Sequence, residues 1–356
     1  MSATEIPDSI TERLNAYSSG AMPAREARTG EGVARKAGAK LSEMVGVEKV
    51  ESFDFGFFVS DLFRRHSTDE IEQFFAIGTP AAVPAIGSVD ASWPRPWLFA
   101  RALIASFFIY FLFRCAWAWF ANANLLPGLI ATGTIAIPLS VLIFFVEMNV
   151  RRNVSLYQVL RAFAFGGVLS LIFSLLLFAF PVLSSFSWMG ASIAGIVEEP
   201  GKLAAVIAVA NFSRYRYKLN GLLFGAAIGT GFAVFESMGY ALNAFSAGGA
   251  DMMAENILVR GVLSPFGHAV WTAIASAALW RVLDGGPFAF SALRSGRFLR
   301  LFSVPVVLHM FWNSTLEMPF YGKYLIAGAV AWFIMFALIQ EGLKEVRAEK
   351  AGFGRR

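Results

Sequence analysis

Residues 188–210 read WMGASIAGIVEEPGKLAAVIAVA and place two adjacent acids, Glu198 and Glu199, in the middle of an apolar run. On a helix, Lys202 follows Glu198 by four residues and Glu199 by three, so all three share one face. Lys202 can offset one carboxylate and leave the other able to act as a base. Pro200 and Gly201 loosen the local helix hydrogen bonding. A buried salt bridge would explain one Glu–Lys pair, but the second glutamate is surplus to it. If the run crosses a bilayer, each charge costs about 2.5–3.5 kcal/mol on insertion scales and must face a protein interior.

The rest of the sequence says that it does cross. The chain has 356 residues, of which 56% are hydrophobic and 15% charged, against about 25% charged in a soluble domain. Most of the acids lie in the first 95 residues, and the remainder is a string of apolar runs. About 20 apolar residues span the hydrocarbon core. Segments of that kind occupy roughly 97–121, 125–145, 159–180, 188–210, 219–241, 261–280, 298–316 and 324–339. The expected fold is therefore all-α, a polytopic membrane protein of about eight transmembrane helices with a small cytoplasmic N-terminal segment.

Lys and Arg fix the orientation. They cluster at Arg95 and Arg101, at Arg151, Arg152 and Arg161, at Arg214, Arg216 and Lys218, at Arg281, Arg294, Arg297 and Arg300, and in the tail at Lys344, Arg347, Lys350, Arg355 and Arg356. The intervening loops hold only Arg260 and Lys323. This alternation puts both termini in the cytoplasm, with the chain in a bacterial-type inner membrane. It also assigns the net charge of +5 to topology rather than to a nucleic-acid partner. Cys115 is the sole cysteine, so neither an internal disulfide nor a Cys-based metal site can form. No cleavable leader pattern opens the chain, and the first apolar run is expected to act as a signal anchor.

Three regions follow: a cytoplasmic stretch 1–95, a membrane domain 96–343 and a basic tail 344–356. Up to about residue 40 the composition is that of a disordered segment. From Leu41 to Ala76 short helices are expected on the membrane surface, one starting at Ser67-Thr68-Asp69-Glu70 with acids in its first turn. Pro80, Pro84, Pro94 and Pro96 then mark a linker.

Glu198, Glu199 and Glu236 are the carboxylates well inside the apolar segments, joined by His268 and His309. In the fifth segment Gly225, Gly229, Glu236 and Tyr240 fall on one stripe, and Gly221, Gly225 and Gly229 permit close helix approach. Glu236 thus faces a neighbouring helix, with Tyr240 placed to donate to it or to an oxyanion. His309 and Asn313 are one turn apart. A lone intramembrane histidine is more often a helix–helix hydrogen bond than a catalyst, but three acids accompany this pair. Depth agrees as well: counted from the outer ends, all these groups fall in the outer half of the bilayer, Glu198 and Glu199 roughly 15 Å in.

Two mechanisms fit. In one, Glu198 or Glu199 activates water with His268 or His309, while Asn313 and Tyr240 stabilise the oxyanion. In the other, His268, His309 and Glu236 bind Zn²⁺, and Glu198 or Glu199 deprotonates water. An ion-coupled transporter is the main alternative, although no repeat relates the two halves; a non-catalytic membrane receptor is another.

The ordered motifs Glu198-Glu199 with Lys202, Phe235-Glu236 with Tyr240, His268, and His309 with Trp312-Asn313 resemble the PrsW family of intramembrane proteases over roughly residues 97–339. That family is related to the CAAX-prenyl endopeptidases, which share a paired-glutamate motif and a later His-x-x-x-Asn. The resemblance implies cleavage of a membrane-anchored protein or peptide, the family's best-known substrate being an anti-sigma factor cut from the extracytoplasmic side. It implies either no cofactor, as a glutamic protease, or Zn²⁺, as a metalloprotease. Arg114, deep in the first segment, is expected to snorkel outward or to pair with one of the glutamates.

Overall fold

The computed structural model describes residues 29–50, 53–79 and 82–353, and every regular element among them is helical. Contacts divide the chain into Met1–Lys40 and a larger unit, Leu41–Arg356, which holds everything discussed below. The disorder expected up to residue 40 falls largely outside the described residues; a helix, Thr29–Val45, begins within its last part.

Among the described residues eight long helices follow the N-terminal stretch: α1 Leu98–Phe120, α2 Leu126–Met148, α3 Leu156–Phe178, α4 Ile193–Val209, α5 Lys218–Leu263, α6 His268–Leu283, α7 Gly296–Trp312 and α8 Gly322–Phe353. Each coincides with an apolar run. By length and apolarity, five helical stretches among the described residues can cross a membrane: α1, α2 with its preceding turn, α3, the combined α5–α6 stretch, and α8 with the turn before it. Helices α4 and α7 have 17 residues each.

One expectation is corrected. Residues 242–260 do not form a loop; α5 continues through them for 46 residues and is broken only at Gly248 and Gly249. Beyond that break Met253, Ile257 and Gly261 recur every fourth residue. Met253 and Ile257 pack with Leu129 and Ile130 of α2, and Gly261 faces Ile137. This apolar stripe stabilises a second helical arm where charge and small residues had suggested a connection.

Helix α5 lies at the centre, packed on α6, α2 and α3. Its glycines make this possible. A Cβ at Gly221 would enter the Trp280 ring, one at Gly225 would strike the Thr272 carbonyl, and one at Gly229 the His268 carbonyl. On the other side Gly231 abuts the Phe163 carbonyl, where α3 carries a π-helical turn, Ala162–Gly166. Helix α1 is peripheral and rests chiefly on α2.

Residues 41–97 are bound into the helical core. Val45, Val47, Phe58 and Ile77 are buried in it, and Phe53, Phe58 and Trp93 pack against Phe336 of α8. The helix expected at Ser67 is present as Thr68–Phe75, closed by a reciprocal capping box between Ser67 and Glu70. The basic clusters find their partners here. Arg151 donates to the Pro84 carbonyl, Arg281 to Gly46, Arg347 to Ala91 and Lys350 to Val89. Glu147, near the end of α2, accepts the backbone N–H groups of Trp97, Leu98 and Phe99 at 2.7, 2.9 and 3.0 Å and so caps α1. The N-terminal stretch and the basic loops therefore share one end of the bundle.

Candidate active site

The opposite end contains a cavity of about 600 Å³. Glu198, Glu236, Tyr240, His268, His309 and Asn313 all line it. Glu199 and Lys202 stand behind the wall, each with no exposure. Of the eight residues singled out from the sequence, six face one space and two support it.

The two adjacent acids on α4 have different surroundings. Lys202 Nζ lies 2.6 Å from Glu199 Oε1 and 3.9 Å from Glu198 Oε2, so its full ion pair is with Glu199. His309 Nδ1 lies 2.8 Å from the same Glu199 oxygen. A carboxylate accepts, so His309 donates from Nδ1 and leaves Nε2 with its lone pair free. That nitrogen is 3.8 Å from Glu198 Oε2, too far for a hydrogen bond. Among the described residues this Glu198 oxygen is buried with no hydrogen-bond partner, as is Glu199 Oε2.

The third acid has its own partners. Lys202 also lies 2.9 Å from His268 Nδ1. An ammonium can only donate, so the ring accepts at Nδ1 and carries its proton at Nε2. Nε2 faces Glu236 Oε2 at 3.4 Å. The same Glu236 oxygen forms an ion pair with Arg260 Nη2, while Arg260 Nε donates to Ser237 Oγ at 2.9 Å. The guanidinium rests over the Tyr240 ring, 4.2 Å from its centroid. Tyr240 thus serves here as a platform for Arg260.

The imidazoles of His268 and His309 are 5.0 Å apart, and the Trp271 ring packs against both, at 5.3 and 4.8 Å. Ligand atoms of Glu198, His268 and His309 all lie within 4.8 Å of one another. Two imidazoles and one carboxylate are a donor set that catalytic zinc sites use while keeping a position open. The partnerless Glu198 oxygen and the free His309 Nε2 fit such an ion. Glu199 behind His309 supplies the carboxylate that orients a metal-binding imidazole. His268 would offer Nε2 to such an ion as the other tautomer, with its proton on Nδ1 and Lys202 turned to its carboxylates. Glu198 is the acid whose oxygen lies with both imidazoles, while Glu236, grouped with them from sequence, lies 3.4 Å from His268 and also pairs with Arg260.

Sequence reasoning missed Arg260 and Trp271. Arg260 had a signal, since it was one of two basic residues that broke the charge alternation. Trp271 had only its place one turn after His268. Arg114 lies on peripheral α1, and among the described residues no ion pair joins it to the glutamates, whose cationic partners are Lys202 and Arg260.

Acids, imidazoles and an amide gather around one cavity inside a bundle of apolar helices. Residues 155–339, more than half of the chain, match the sequence model of the PrsW family intramembrane metalloprotease, and the chain belongs to that family. It is an integral membrane protease. No curated protein and no solved structure matches it.

Proposed function

We propose that this protein hydrolyses a peptide bond in or near the membrane span of an anchored protein or peptide, at a divalent-metal centre held by Glu198, His268 and His309. The observation that carries the reading is the buried, partnerless Glu198 oxygen set among two imidazoles at the wall of a 600 Å³ cavity. A bound zinc-like ion would supply a polarised water and a Lewis acid for the scissile carbonyl.

The protein's own groups divide the remaining work. Glu199, sealed from the cavity, fixes His309 by a hydrogen bond of 2.8 Å, and Lys202 beside it neutralises Glu199 at 2.6 Å. Glu236 is the cavity carboxylate outside the ligand trio and takes the proton from the attacking water, with the leaving amine as its next destination. Asn313, at the end of α7, offers an amide donor toward the developing oxyanion. Apolar residues around the mouth, among them Phe178, Ile193 and Leu263, suit a substrate helix that unwinds as it enters.

In the membrane, all eight helices cross, the basic end with residues 41–97 faces the cytoplasm, and the cavity opens toward the outer leaflet of an inner membrane. His268 is 13 residues from Arg281 along α6, about 20 Å from the basic end. Such depth suits a substrate cut from the extracytoplasmic side, as an anti-sigma factor would be.

Metal analysis of purified protein tests the centre. Wild type is expected to hold one ion per chain, and Glu198→Gln and His309→Ala to lose it together with cleavage. A metal-free wild type at full activity overturns the metal reading and returns the acids to direct water activation.

A further inference from the structure

We propose that Arg260 is a positioning residue for the reaction: it holds the Glu236 carboxylate in the cavity wall, facing His268. The inference rests on the site reading above and adds to it a residue that neither the motifs nor the family match singles out.

Arg260 is carried by the arm 250–263 of α5. One face of it is immobilised, because Met253 and Ile257 are buried against α2 and Gly261 sits on Ile137. Val259 and Arg260, between Ile257 and Gly261, and Leu263 just beyond them face the cavity. The arm is therefore a fixed mount, and it presents one cation to a cavity whose other cation, Lys202, is sealed behind the wall.

Arg260 then uses its whole guanidinium. Nη2 pairs with Glu236, Nε donates to Ser237, and the plane lies on Tyr240. Three contacts to residues 236, 237 and 240 fix one turn of α5 from outside. Without them the ion pair left to Glu236 among the described residues is with His268, at 3.4 Å. A planar fork makes this set, and a lysine ammonium, a point donor, does not reproduce it. Arg260 also explains its own position. A cation near the outer end of a bundle runs against the charge rule, and a carboxylate that must be held is a reason to keep it there.

The test uses full-length protein in membranes of the expressing cells, with cleavage read as new peptide termini that appear with wild type and not with Glu198→Gln. On the strongest such substrate, Arg260→Ala is expected to lower kcat by about 100-fold with KM nearly unchanged, the pattern of a misplaced reacting group. Arg260→Lys should recover part of the rate. The double variant Arg260→Ala with Glu236→Gln should be no slower than Glu236→Gln alone, since a positioning residue has nothing left to position. Wild-type turnover by Arg260→Ala, beside an inactive Glu198→Gln, overturns this proposal and leaves the site intact. If Arg260→Ala does not accumulate, Arg260→Lys decides, and wild-type turnover there overturns it equally. Termini that are identical for wild type and Glu198→Gln overturn the site reading itself.

Discussion

Lys202 separates two adjacent acids that the sequence presents as equivalent. Its 2.6 Å bond goes to Glu199, and the 3.9 Å gap to Glu198 leaves that carboxylate facing the cavity. Different failures should follow. Glu198→Gln is expected to abolish cleavage, a loss of about 100-fold or more, with little change in melting temperature. Lys202→Met leaves the wholly buried Glu199 without its cation. Removing one partner of a buried pair costs about 3–5 kcal/mol, so that variant should melt well below wild type. Thermal unfolding in detergent, read beside cleavage, separates the two, and equal melting of both variants would sink the division of roles. The residue types and their shared helix face were legible from spacing alone. Which acid Lys202 takes was not, because i,i+3 and i,i+4 pairs are both within reach on a helix and only the tertiary position of His309 decides.

At the scale of the element, legibility followed periodicity. Gly221, Gly225 and Gly229 read as a close-packing stripe and serve as one against α6. Residues 242–260 read as a connection because the Gly248-Gly249 pair and the acids around it hid the Met253–Ile257–Gly261 stripe. That arm carries Arg260, so missing the element meant missing the residue. Gly231→Ala tests the packing directly. The added methyl would meet the Phe163 carbonyl at the π-helical turn of α3, where backbone cannot yield as a side-chain tip can. The variant is expected to be destabilised by about 1–3 kcal/mol, and an unchanged melting temperature would show the α3–α5 contact to be loose.

The short helix Thr68–Phe75 gives an element-scale pH effect outside the membrane. The Ser67 backbone N–H holds the Glu70 carboxyl below its usual value, with His66 and Arg64 adding to this. Because the folded value is depressed, the cap contributes above the ordinary Glu range, near pH 4.3, and is lost as pH falls through the lower folded value. The protection factor of the Ser67 amide should therefore fall on acidification below pH 4, and Glu70→Gln should remove that dependence. A cap insensitive to acid would mean that the Ser67 side chain alone holds the helix start.

Over the whole molecule, the N-terminal stretch and the basic loops have to be understood together. Loop cations that orient a membrane protein usually face water and headgroups. Here Arg151, Arg281, Arg347 and Lys350 donate to carbonyls of residues 46–91, and Arg281 is further held by Glu341 at 2.8 Å. The same stretch inserts Phe58 among Trp93, Phe144 and Phe336. The sequence reading put residues 41–76 on the membrane surface as short helices; the common destination of their aromatics exists only once α2 and α8 stand side by side. If residues 41–97 stabilise the bundle, Phe58→Ala should cost about 3–5 kcal/mol and lower one cooperative melting transition of the entire protein. A peripheral module would behave otherwise, losing its own structure in a separate early transition while the helices melted as before. Calorimetry of the two proteins in the same detergent distinguishes these, and two resolved transitions in the variant would mean that the stretch rests on the bundle without supporting it.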